Sequence, residues 1–171
     1  MIYTAIHARS EIQRPVSTAF ILTSVLAALF LNGLPWEGIG LMLRPDFVAV
    51  VLLYWCMHKP WRLGIGLSWA VGILADVADA SLFGQHALAY TVLAFGGVVL
   101  NNRLQMFDLR QQTTHVLGIM VLTYSVYAMV HWLVNGYIVW MYFIGCLTST
   151  LLWPPLCLLF QAMRQKPVER E

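Results

Sequence analysis

Four ionisable residues sit in or beside apolar runs: Arg44, Asp46, Asp76 and Asp79. A charge at the centre of a bilayer costs about 3 kcal/mol or more, so such residues are kept for a partner, a pathway or a ligand. An Arg–Asp pairing that joins Arg44 to Asp46 and Asp76 would satisfy these charges and lock two neighbouring helices. The same residues could instead hold a ligand or a proton, or meet a partner protein. Gly64, Ser68, Gly72 and Asp76 recur every four residues, which puts them on one helical stripe. Small residues at this spacing let a second helix approach closely, either inside the fold or from a partner.

Other chemistry finds little support. His58, His86, His115 and His131 form no i, i+4 ligand pair and no H-E-x-x-H, so no metal is expected. Cys56, Cys146 and Cys157 are dispersed in apolar runs without a C-x-x-C, which suits small buried side chains. Gly66-Leu67-Ser68-Trp69 has the G-x-S-x form used by rhomboid intramembrane proteases, with His131 as a conceivable base. No oxyanion donors accompany it, and Ser68 is already explained by the stripe. There is no phosphate-binding loop and no acidic cluster for metal-assisted catalysis. Neither an enzyme nor a cofactor is expected.

The elements that must position these residues follow from composition. Of 171 residues, 60% are hydrophobic and 11% charged. Soluble domains carry about 25% charged residues, so lipid is the natural solvent for this chain. Nothing resembles an acidic or basic tail for nucleic acid. The polar stretch Met1 to Pro15 and the long run after it suit a retained first helix rather than a removable signal peptide. Six helices are expected in one domain over residues 1–171: 16–35, 45–58, 63–80, 86–101, 114–134 and 137–163. Pro45 suits the first turn of the second, with Asp46 at its positive end. Gln111 to Met163 is free of charge for 53 residues. That is too long for one span, and Asn135-Gly136 is the break. Trp153-Pro154-Pro155 interrupts the backbone donors of the last helix.

Charge placement gives an orientation. With the N-terminus inside and six spans, the inner segments hold Arg9, Arg14, Lys59, Arg62, Arg103, Arg110, Arg164, Lys166 and Arg170, and the outer ones hold Arg44. Nine of the ten basic residues fall on one side, the positive-inside pattern. The chain is therefore expected to be an all-α integral membrane protein of the bacterial inner membrane with both termini cytoplasmic. Trp36, Trp61 and Trp140 lie near the expected borders, as an aromatic belt requires.

The segment from Leu43 to Tyr90 resembles the rod shape-determining protein family MreD. The match is carried by Arg44-Pro45-Asp46, by Gly72-Ile73-Leu74-Ala75-Asp76, and by Leu82-Phe83-Gly84-Gln85-His86-Ala87-Leu88. The resemblance implies a non-enzymatic membrane subunit of the cell-elongation machinery. Its implied partner is MreC, with MreB and the glycan polymerase and transpeptidase of lateral peptidoglycan synthesis as weaker or indirect ones. The basic turns with Lys59, Arg62, Arg103 and Arg110 are expected to meet MreB or anionic membrane lipid. The family is also similar in fold to the S components of energy-coupling-factor transporters. That leaves a vitamin-binding subunit as the alternative, with Asp46, Asp76 and Gln85 at its site.

Overall fold

The structure is a computed structural model and describes residues 17–38, 40, 43–104, 106–137 and 140–164. Among them are six α-helices and no strand: α1 Thr18–Asn32, α2 Phe47–His58, α3 Ile65–Ala78, α4 Gln85–Leu104, α5 Leu109–Asn135 and α6 Met141–Arg164. Arg9, Arg14, Lys166, Arg170 and both chain ends lie outside the described residues.

The helix ends have local causes. Ser17 caps α1, its hydroxyl accepting from Ala19 N at 3.2 Å. Asp46 caps α2, its carboxylate accepting from Ala49 N at 2.9 Å. Pro45 thus precedes the cap instead of forming the first turn, because Asp46 takes the cap position. α5 ends where Gly136 adopts φ +77° and returns its N–H to Trp132 O, a conformation that glycine adopts freely. α5 starts five residues before the expected Thr114. Hydropathy marks only the apolar part of a helix, and here Thr113, Thr114 and His115 side chains bond the carbonyls of Leu109, Arg110 and Gln111 within a polar first turn.

α2 lies at the centre. Every residue from Val48 to Met57 is buried, as a helix without a polar face must be. It packs on α1, α4 and α6, while α3 packs on α4, α4 on α5, and α5 on α6. α1 turns the stripe Ile21, Val25, Ala28 and Asn32 to this core and leaves Leu22, Leu26 and Phe30 outside. Large exposed apolar side chains also cover α5 and α6, among them Leu122, Leu133, Leu147 and Leu151.

The helices differ in reach. α5 and α6 are long and apolar enough to cross a membrane. α1, α2 and α3 have 15, 12 and 14 residues, about 18–22 Å at 1.5 Å per residue. Their ends at the Asp46 side therefore stop short of those of α5 and α6. Tyr127 and Ser149, which reach Asp46, stand about 12 Å inside the near ends of α5 and α6 by the same rise.

Candidate charge network at one end of the bundle

Asp76 is 1% exposed, and its carboxylate is held by the start of the next helix. Oδ2 accepts from Gly84 N at 2.8 Å; Oδ1 accepts from His86 N at 2.8 Å and from the Ser81 hydroxyl at 3.1 Å. His86 Nδ1 lies 2.9 Å from Oδ1. The first N–H groups of any helix lack internal partners and carry the positive end of its dipole. Gly84, just before α4, has φ +96° and no side chain to cap with, so α3 supplies the cap through Asp76. Gly72, one turn earlier, makes this possible. A Cβ there would stand 2.4 Å from Ala87 Cα and 2.8 Å from His86 C. The small-residue stripe is thus used inside the fold. Ser68, further along it, is buried and bonds Gly64 O at 3.1 Å and Cys56 Sγ at 3.5 Å.

Asp46 is held differently. Beside its own cap bond, it accepts from Asn32 Nδ2 at 3.1 Å, from the Tyr90 hydroxyl at 3.0 Å and from the Tyr127 hydroxyl at 3.2 Å. Its backbone N donates to Ser149 Oγ at 2.8 Å, and Ser149 meets the Tyr124 hydroxyl at 3.1 Å. Asn32 is on α1, Tyr90 on α4, Tyr124 and Tyr127 on α5, and Ser149 on α6. One aspartate therefore ties five of the six helices, mostly through neutral donors. Each such bond contributes about 1.5–3 kcal/mol when its acceptor is charged.

The expected pairing of Arg44 with Asp46 and Asp76 is corrected. Arg44 Nη2 lies 3.2 Å from Asp79 Oδ1, at the half-exposed rim. Asp46 and Asp76 are already filled by hydroxyl, amide and backbone donors, which fit confined sites better than a long guanidinium. His86 joins the two centres. Its Nε2 stands 3.7 Å from Asp79 Oδ2, and its ring packs against Tyr90 and Tyr127. Gln85 is buried and donates from Nε2 to Tyr127 O at 3.4 Å. Attention to formally charged side chains misses Asn32, Tyr90, Tyr124, Tyr127 and Ser149. Their signal was present, since each is a hydrogen-bonding side chain inside an apolar run.

A model of the family described as rod shape-determining protein MreD matches residues 13–163. The chain belongs to the MreD family. The rod shape-determining protein MreD of Haemophilus influenzae is 29% identical over 150 residues, covering 85% of this chain and 91% of that relative. No solved structure matches. Membership of the MreD family gives the chain a rod shape-determining role, and it is not an enzyme.

The residues that carry the MreD resemblance converge in space. Arg44 and Asp46 reach the network from the segment before α2, Gly72 and Asp76 from α3, and Gly84, Gln85 and His86 from the start of α4. Lys59 and Arg62 lie at the opposite end. Lys59 Nζ stands 5.0 Å over the exposed Trp61 ring, and Arg62 donates to Thr18 at the start of α1.

Proposed function

We propose that this MreD-family chain is a multi-pass inner-membrane subunit with both ends cytoplasmic. It pairs with MreC and organises lateral peptidoglycan synthesis as a preformed body. The observation that carries this reading is the internal saturation of the charge network. Asp46 and Asp76 are satisfied by donors of the same chain, so their task is to hold helices in one arrangement that partners can recognise. The basic turn at Lys59 and Arg62 and the acidic rim at Asp79 lie at opposite ends, in keeping with the positive-inside distribution. The short helices α1 to α3 span with the help of flanking residues and a locally thinned bilayer.

The vitamin-binding alternative has less support. An S component needs vacant polar groups in the outer half of its bundle, and here Asp46 already accepts from Asn32, Ala49, Tyr90 and Tyr127. A groove of about 290 Å³ lies between α5 and α6. Met129, Trp132, Trp140 and Phe143 line it, so it is apolar and lies apart from the carboxylates.

Depletion of the protein in a rod-shaped host is expected to round the cells, and cells that remain rods refute a shape role. Affinity purification in mild detergent is expected to bring down MreC. Thermal stabilisation by one member of a vitamin panel would instead favour the transporter reading.

A further inference from the structure

The ring of His86 stands between two carboxylates. Nδ1 lies 2.9 Å from Asp76 Oδ1, and Nε2 lies 3.7 Å from Asp79 Oδ2. A neutral imidazole has one N–H and one lone pair, whereas the cation has two N–H groups. The neutral ring therefore turns a lone pair to one carboxylate or the other. The Ser81 hydroxyl is 3.1 Å from both Nδ1 and Asp76 Oδ1. Its one hydrogen serves Nδ1 only when withdrawn from Asp76. Of the forms of the ring, the doubly protonated one alone serves both carboxylates.

The other groups around the ring do not replace that proton. Tyr90, on the same helix, and Tyr127, on α5, pack their rings against it, and their hydroxyls are given to Asp46. Arg44, before α2, reaches the cluster through Asp79. With His86 charged, Arg44 and His86 balance Asp76 and Asp79. With it neutral, one negative charge is left over. The His86 and Asp79 side chains are both partly exposed, so the pair exchanges protons with water.

The same groups bracket the turn from α3 to α4. Asp76 and Asp79 precede it and His86 follows it. Within it Ala80 has φ +48°, a left-handed backbone that a Cβ disfavours. The turn presents Phe83, which is 76% exposed. A turn held against its backbone preference depends on the bonds across its base. Asp76 keeps its backbone donors Gly84 N and His86 N whatever the state of the ring. The leg to Asp79 is the one that a proton makes or removes.

We propose that His86 is a pH-sensitive latch on the α3–α4 turn: the protonated ring clasps Asp79 to Asp76, and loss of the proton frees the Asp79 side and alters the surface around Phe83. Histidine ordinarily titrates near about pH 6.5 and aspartate near about pH 4. The latch is therefore closed in mild acid, where both carboxylates are still ionised, and open in mild alkali. The bundle stays folded in both states, because the Asp76 cap and the Asp46 hub do not need the ring's proton. That the latch responds to the outer compartment rests on the orientation proposed above.

The test uses the full chain in detergent, with a spin label on Phe83→Cys and, as a control at the opposite end, on Trp61→Cys. The native cysteines are buried. Between about pH 5.5 and about pH 8, either side of the histidine range, the mobile fraction of the label at position 83 is expected to rise. A rise of about two- to fivefold is expected, the range that a partly solvated charge contact supports. The label at position 61 is expected to stay unchanged. His86→Gln is expected to abolish the rise. Asp79→Asn, at the rim and outside the Asp76 cap, is expected to abolish it too, so the latch remains testable if His86→Gln fails to fold. No rise in the parent, an equal rise at position 61, or a rise that survives in Asp79→Asn would each overturn the latch. In right-side-out vesicles, an impermeant nickel chelate added outside is expected to broaden the signal from position 83 and not from position 61. The reverse would overturn the orientation and leave the latch standing.

Discussion

Asp46 and Asp76 are the same residue type at the same end of the bundle, yet they hold it by different means. Asp76 accepts from backbone N–H groups of Gly84 and His86, ten residues away or fewer. It fixes one helix pair through a local turn. Asp46 accepts from side chains as distant as Tyr127, 81 positions along the chain, and fixes the arrangement of five helices. The backbone donors to Asp76 cannot be removed by mutation, and only Ser81 and His86 add side chains there, whereas the side-chain hub can be dismantled one hydroxyl at a time. The local site should therefore fail abruptly and the hub by degrees.

Removing the local acceptor is the strongest way to break that contrast. Asp76→Ala leaves two part-buried N–H groups at the start of α4 without their acceptor, at about 1–3 kcal/mol each. A loss of about 4 kcal/mol is expected, read as loss of monodisperse protein in detergent. Asp76→Asn keeps one carbonyl acceptor and is expected to recover about half of that. A stable Asp76→Ala protein would show that the cap is dispensable. Gly72→Ala attacks the same contact without touching a charge. Its Cβ would meet the Ala87 and His86 backbone, which cannot move aside as a side-chain tip can. Overpacking of this kind costs about 1–3 kcal/mol, visible as a lower midpoint of heat-induced aggregation.

Much of the local site was legible in the sequence, and little of the hub was. Gly72 and Asp76 on one stripe, followed by a glycine before an apolar run, contain the whole geometry within fifteen residues. The six helices were legible too, because uninterrupted apolar runs and Asn135-Gly136 delimit them. The hub depends on which helices neighbour α2, and that follows from packing among uniformly apolar faces, which carry no directional pattern. Arg44 was assigned to the wrong carboxylates for a related reason. Sequence places Arg44, Asp46, Asp76 and Asp79 near one level but does not say which acceptors are already filled from inside.

The hub can be tested by degrees. Tyr90→Phe and Tyr127→Phe each remove one donor to Asp46 and keep the ring in place. Each is expected to lower stability by about 1.5–3 kcal/mol, as for a hydrogen bond to a charged acceptor. The double variant sharpens the comparison, because both hydroxyls share one carboxylate and each deletion changes the worth of the other. A departure from additivity of about 0.5 kcal/mol or more in a thermal-stability cycle is expected. Strict additivity would mean that the two hydroxyls act independently and that Asp46 is not a hub.

The smallest effect belongs to the Arg44–Asp79 ion pair. Arg44 and Asp79 face each other at 3.2 Å with side chains 21% and 25% exposed. A partly solvated pair contributes about 0–1 kcal/mol and is screened by salt. Arg44→Gln is therefore expected to shift the aggregation midpoint by a degree or two at low salt and not at all at 0.5 M NaCl. The contrast with Asp76 follows from what each change leaves behind. Losing Arg44 returns Asp79 to water, where it is well solvated. Losing the Asp76 carboxylate leaves the part-buried backbone donors of Gly84 and His86 without their acceptor. If Arg44→Gln instead destabilised the fold as strongly as Asp76→Ala, independent of salt, the rim pair would be a third structural centre. The division between buried acceptors that shape the bundle and a partly solvated rim would then be drawn in the wrong place.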